Sequence, residues 1–205
     1  MDTRLGRDDW MRAGRMALLT GGPAAVRVER LATDLGVTKG SFYWHFADRG
    51  ELLEALLREW EEELSVALEA LPSLTGPDGV RELMSFVAPR VVASERGELP
   101  SDAAIFAWAS TDPAVARRVE TAEARRIALL QTLVGDPELG EFLYLAYLGF
   151  VMRRRRVPRS AAFFPVLARI SERVTAQAAA EATRAAAVAP PTSKRRPSPG
   201  KRGVR

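Results

Sequence analysis

Cysteine is absent from all 205 residues and histidine occurs once. Without thiols there are no disulfides and no thiolate metal ligands, and a single imidazole excludes metal centres built on histidine pairs. Catalytic signatures are missing too: no Glu-x-x-His pair, no glycine loop ending in Gly-Lys-Ser/Thr, and no second histidine to work with His45. No catalytic residue, metal site or cofactor is therefore expected. Long apolar runs are also lacking. The longest, Phe142 to Met152, is well short of the ~20 residues a membrane-spanning helix needs. The first residues hold Asp2, Arg4, Arg7, Asp8 and Asp9 where a secretory signal would be apolar, which predicts a cytoplasmic protein with no membrane partner.

Acidic residues are missing from one end of the chain. From Ala185 onward there are six basic residues (Lys194, Arg195, Arg196, Lys201, Arg202, Arg205) and no acidic ones, so the net charge of +4 leaves −2 for residues 1–184. Basic character in the body must then be local. The end segment, rich in Pro, Ser, Lys and Arg without an apolar pattern, predicts a disordered tail over 185–205 that adds at most weak, salt-sensitive attraction to DNA.

What is present is helical. The stretch Leu31–Arg49, LATDLGVTKGSFYWHFADR, has the spacing of a helix-turn-helix: Ala32 small enough for a close helix crossing, Gly36 for a left-handed turn, and Phe42 ten positions after Ala32 as the inward anchor. The pattern predicts one helix over about Val28–Leu35 and another over Lys39–Phe46, with the Thr38 hydroxyl as its cap. Phe42 and Phe46 occupy the inward face. Lys39, Gly40, Ser41, Tyr43, Trp44 and His45 are left to face outward, although Tyr43 and Trp44 also suit the core of a small domain.

An outward face of this kind suits DNA. Gly40 lets a backbone approach base edges, Lys39 can donate to guanine acceptors or phosphate, and Ser41 can reach either. Tyr43 and His45 offer donors to phosphate, and Trp44 an indole N–H or an apolar contact. Arg49, opening the next helix, joins its charge to free backbone N–H groups as a phosphate site.

From about Trp10 to Leu57, and most specifically in Leu35-Gly36-Val37 and Thr38 through Phe46, the sequence resembles the tetracycline-repressor (TetR) family. Many relatives place Thr or Ser where this chain has Arg27 and Val28; the missing hydroxyl removes one expected phosphate contact and one cap, and Arg27 can contact phosphate instead. The resemblance implies an all-α fold: an N-terminal three-helix helix-turn-helix domain (1–50), joined through a long fourth helix to a helical ligand-binding and dimerisation domain (51–184). It implies a homodimer on a palindromic double-stranded DNA operator, repression, and release by a small-molecule effector. An architectural DNA-binding helical protein without a ligand, or an all-helical enzyme, are the alternatives.

Further helices are expected over about Arg7–Thr20, Arg49–Leu71, Gly79–Glu95 with Pro89 as a kink or break, Ser101–Ala109, Pro113–Val134, Pro137–Arg156 and Ser160–Arg184. Gly76 to Gly79 reads as a loop and Glu61–Glu63 as a solvated face. Arg12 and Arg15 read either as DNA contacts or as solvated charges. Asp112 and Pro113 are a helix start. Trp60, Met84, Phe86, Val87, Phe106, Trp108, Tyr144 and Tyr147 are candidate cavity residues, with ordinary core as the alternative. The penultimate helix is apolar on every side, which predicts a second chain over its outer face. Phe142, Leu145, Gly149 and Phe150, together with Phe163, Leu167, Ile170 and Val174 of the last helix, are the candidate dimer interface. Arg153–Arg156 end a helix, where cations need no nucleic-acid partner.

Overall fold

Helix starts follow local chemistry. α1 (Arg7–Gly21) opens on Asp8 and Asp9, and the Asp9 carboxylate accepts from the Gly6 N–H at 2.8 Å, satisfying an N–H at the helix start. α7 (Pro113–Val134) begins as expected: Asp112 Oδ1 accepts from the Ala114 and Val115 N–H groups at 2.9 and 3.3 Å, with proline in the first turn. The other helices are α2 (Val28–Asp34), α3 (Lys39–Phe42), α4 (Arg49–Ala70), α5 (Gly76–Glu95), α6 (Asp102–Ala109), α8 (Pro137–Arg154) and α9 (Phe163–Val188), with a short 3-10 turn at Pro23–Ala25. This computed structural model describes residues 5–70, 76–154 and 163–188; among them every regular element is helical, and no helix is long and apolar enough to cross a membrane. Of the tail expected to be disordered over 185–205, residues 185–188 instead continue α9, and the rest from Ala189, like Arg155 and Arg156, lies outside the described residues.

Several expectations are corrected. Gly76 to Gly79 is the first turn of α5, not a loop. α5 also runs unbroken through Pro89, which sits on the exposed side, where the carbonyl losing its bond can be solvated. The Glu61–Glu63 run is only partly solvated: Arg118 Nε and Nη2 grip Glu61 at 2.7 and 2.6 Å while its Nη1 reaches Glu54, and Glu63 pairs with Arg90. These pairs tie α4 to α7 and α5. Arg15 is a tie as well, donating from Nε to the Gly97 carbonyl at 2.8 Å and from Nη1 to Glu59 at 2.6 Å, so α1 is bound to α4 and to the α5–α6 loop. Arg12 stays exposed.

Two apolar clusters organise the packing. The first joins Trp10, Leu18, Leu31, Ala32, Phe42 and Phe46 to Leu52, Leu56 and Trp60 of α4, and continues into Ile105 and Trp108 of α6 and Val115 and Val119 of α7. The second gathers Val80, Leu83 and Met84 of α5 with Leu130, Leu133, Leu143, Phe150, Phe164 and Leu167. α7 packs along α8, and α5 along α9. Within α9, Ser171 and Thr175 are buried, each satisfied by a carbonyl one turn earlier at 2.8 Å.

Candidate functional site

The turn between α2 and α3 is built as the spacing requires. The Val37 N–H donates to the Ala32 carbonyl at 2.9 Å and the Gly36 N–H to the Thr33 carbonyl at 3.1 Å, the paired bonds of a Schellman motif, with Gly36 at φ 70°. Ala32 is 3% exposed at the crossing. Phe42 is fully buried, edge-on to Trp10 at 5.2 Å and stacked on Phe46 at 5.4 Å, and Arg7 lies over the outer face of Phe46. The inward anchor thus consumes Phe42 and Phe46, and the residues between them turn outward.

Two local details differ from expectation. α3 closes at Phe42, and Tyr43 to His45 form a turn whose His45 and Phe46 N–H groups both donate to the Phe42 carbonyl. Thr38 has the extended backbone of an N-cap, yet its hydroxyl makes no capping bond. That hydroxyl is exposed, and it joins Gly40, Ser41, Tyr43 and Trp44 along one shallow groove. Tyr43 is 52% exposed and Trp44 83%, so neither is core. Ser41 and His45 are half-buried, and Arg27 is exposed beside them at the start of α2, where no side chain caps the helix.

Gly40 is informative because the fold does not demand it. Its φ is ordinary, and an added Cβ would come no nearer than 3.7 Å to Thr38 Oγ1. A glycine inside a helix costs stability, and the space around Gly40 gives the fold no steric reason for the missing side chain. Lys39 is held by Glu29 at 2.5 Å; this hydrogen bond is the main cause that raises the lysine above and lowers the carboxylate below their ordinary values. Arg49 is placed differently from its expected role. Its guanidinium donates to the Val26 carbonyl at 2.6 Å and to that of Pro23, anchoring the α1–α2 connection on α4.

The second candidate site is a partly open cavity of about 160 Å³ in the other half, lined by residues of α4 to α9. Of the candidate cavity residues, Trp60, Met84, Phe86, Val87, Tyr144 and Tyr147 line it. Phe106 and Trp108 do not: they pack with the first cluster, Phe106 edge-on to Trp60 at 6.3 Å. Two residues that sequence reasoning missed dominate its polar side. Asp102 accepts from Trp60 Nε1 at 2.6 Å, Arg126 Nη1 at 2.7 Å and the Tyr147 hydroxyl at 2.5 Å. Burial pushes this carboxyl up, but the Arg126 charge and the three hydrogen bonds outweigh burial and hold it below its ordinary value. Asp102 looked like any acidic residue in a first helical turn. Nothing in the sequence pairs it with a residue 24 positions later.

The candidate interface residues divide. Phe150 and Leu167 are buried and Phe163 is stacked on Phe150 at 4.0 Å, so these three belong to the chain's own core, and Leu167 lines the cavity. Phe142 and Leu145 of α8 are 54% and 57% exposed, and Ile170 and Val174 of α9 are 45% and 40%. Gly149 shares the exposed stripe of α8, with open space around it.

No curated protein matches this sequence. Among solved structures the fold is similar to a transcriptional regulator from Rhodococcus sp. Rha1, at 18% identity and a TM-score of 0.66 over 85% of this chain and 97% of that one. It is also similar to AmtR of Mycobacterium smegmatis, at 21% identity and a TM-score of 0.61 over 93% and 99%. At these identities the likeness is one of fold. Residues 11–56, which contain the whole α2–turn–α3 unit, match the family model of bacterial regulatory proteins of the tetR family, so this amino-terminal segment is similar to that family's domain.

Proposed function

We propose that this chain is a homodimeric transcriptional repressor that reads a palindromic operator through α3 and is released by a small molecule in the cavity. The outer face of α3 carries this reading: two exposed aromatics, Tyr43 and Trp44, beside a glycine the fold does not need and a lysine paired only at the surface. Thr38, Lys39, Gly40, Ser41, Tyr43, Trp44 and His45 enter or flank the major groove, and Arg27 meets phosphate from the start of α2. Arg49 contributes by holding the Pro23–Val26 segment in place.

Dimerisation is supported by α8 and α9. Phe142, Leu145, Gly149 and Met152 recur at helical spacing on one exposed face of α8, and Val166, Ile170 and Val174 on one exposed face of α9. Such paired apolar stripes mark an interaction surface, and a two-fold axis would set two readers against half-sites about 34 Å apart. Coupling has a physical route. Trp60 belongs to the first apolar cluster and also lines the cavity, while Leu99 and Pro100 line it from the loop whose Gly97 carbonyl holds Arg15 of α1. A ligand that binds one arrangement of this loop better than the other shifts the readers.

Footprinting tests the proposal. A symmetric, palindromic footprint is expected, weakened by Lys39→Ala and Tyr43→Ala while sedimentation still shows a dimer. Uniform coverage of DNA, or unchanged affinity in both variants, would remove the reader assignment. Leu145→Glu should dissociate the dimer, and a variant that remains dimeric would place the interface elsewhere.

A further inference from the structure

The cavity's charge balance points to the kind of molecule it holds. Two cations line it, and each faces its own carboxylate: Arg126 on Asp102 at 2.7 Å, and Arg90 on Glu63. The Asp102 and Arg126 side chains are withdrawn from solvent to 11% and 14% exposure, and those of Glu63 and Arg90 are part-buried at 25% and 29%. A carboxylate ligand would meet cations already neutralised, and an ammonium ligand would meet carboxylates already neutralised. Either would carry an uncompensated charge out of water, which is strongly unfavourable. Apart from the Ser94 hydroxyl, which donates to the Val91 carbonyl at 2.8 Å, and the polar ends of Trp60, Tyr144 and Tyr147, the rest of the lining is hydrocarbon, from Leu83 and Val91 to Leu130 and Leu143.

Two phenol hydroxyls complete the picture. Tyr147 donates to Asp102, and Tyr144 donates to Glu123 at 3.0 Å, so their protons are committed. Each phenol oxygen keeps acceptor capacity. The polar side of the cavity can therefore take a donor from a ligand. Size supplies the last limit: an apolar cavity of roughly 150 Å³ holds one benzene-sized ring.

Resting on the reading of the cavity as the effector site, we infer that it takes an uncharged, mainly hydrocarbon alcohol or phenol of about one ring, and that the Asp102–Arg126 pair rejects charged analogues of the same shape. The matched series benzyl alcohol, benzoate and benzylamine, with hexanol, hexanoate and hexylamine as the open-chain counterpart, tests this by calorimetry on the full-length protein. The alcohol should bind about tenfold or more tighter than the anion or the cation. Asp102→Asn keeps the shape and an acceptor for Trp60 but frees Arg126, and it should improve benzoate relative to benzyl alcohol by about tenfold. Arg126→Gln should do the same for benzylamine, and serves if the first variant does not fold. Val87→Phe, which fills the cavity, should abolish alcohol binding.

Benzoate or benzylamine binding the native protein as tightly as the alcohol, no member of either series binding, or alcohol binding unaffected by Val87→Phe would each overturn the inference. Operator release is measured separately with the same alcohols. An alcohol bound with this selectivity that leaves the operator occupied upholds the ligand class and removes only the effector role.

Discussion

Tyr43 and Trp44 stand with 52% and 83% of their surface open on α3, whereas Tyr144 and Tyr147 on α8 each turn the hydroxyl proton to a carboxylate of the same chain. Similar side chains thus do opposite things in the two halves. On the reader, polar and aromatic groups project from a rigid apolar base of Phe42, Phe46 and Trp10 and remain available to a partner. In the cavity the polar groups satisfy one another, because burial makes an unpartnered charge or hydroxyl costly. A surface that meets a highly charged polymer in water can leave its donors open. A cavity that must stay folded while empty cannot.

Breaking the inner side of the reader should have the largest effect. Phe42→Ala empties the space between Trp10 and Phe46 and should cost about 3–5 kcal/mol in urea unfolding, while the adjacent Tyr43→Ala should stay within about 0.5 kcal/mol of native. Equal losses would show that Tyr43 is structural after all. In the cavity half, alkaline pH is the probe. Burial is the main cause that raises both Tyr144 and Tyr147 above the ordinary phenol value. Their contribution to stability is therefore complete below pH ~10 and is lost as pH rises through the raised folded values, at a limit of about 1.4 kcal/mol per pH unit for each group. Unfolding midpoints from pH 9 to 11 should fall more steeply for native protein than for Tyr147→Phe. Parallel curves would remove the buried phenol from the account.

Smaller changes sharpen the contrast. Gly40→Ala should stabilise the fold by about 0.5–1 kcal/mol, as expected for a helical glycine without steric need, and yet weaken operator binding. Stabilisation without any loss of DNA affinity would free Gly40 from the interface. Glu29→Gln removes the partner that holds Lys39 and should tighten operator binding slightly, as for an exposed pair, with the gain shrinking as salt rises. A weaker complex would mean that Glu29 positions Lys39 for DNA instead of competing for it.

The geometry of the α2–turn–α3 unit was largely legible in advance because its determinants are local. Ala32, Gly36 and Phe42 act within one turn-and-helix unit, so spacing alone conveys a small crossing residue, a left-handed turn and an inward ring. The same logic found the Asp112–Pro113 start of α7. It overreached where local preference was not the deciding force: Thr38 fits a capping position but leaves its hydroxyl open, and Arg49 fits a phosphate site but turns to the Val26 and Pro23 carbonyls. Phe106 and Trp108 were indistinguishable from cavity lining because apolar lining and apolar core are the same residue types. Which cluster each joins depends on how α6 is rotated against α4 and α7.

The dependence of α3 on its two phenylalanines, and the helical order of the chain, follow from periodicity and from side-chain volume at fixed spacing, both properties of consecutive residues. The pairing of Asp102 with Arg126, the burial of Phe150 beside the exposure of Leu145, and the conversion of Arg15 and Arg118 from surface charges into ties between helices were decided only by assembly. A charge seeks the nearest opposite charge in space. The chain does not encode that distance until its helices have packed.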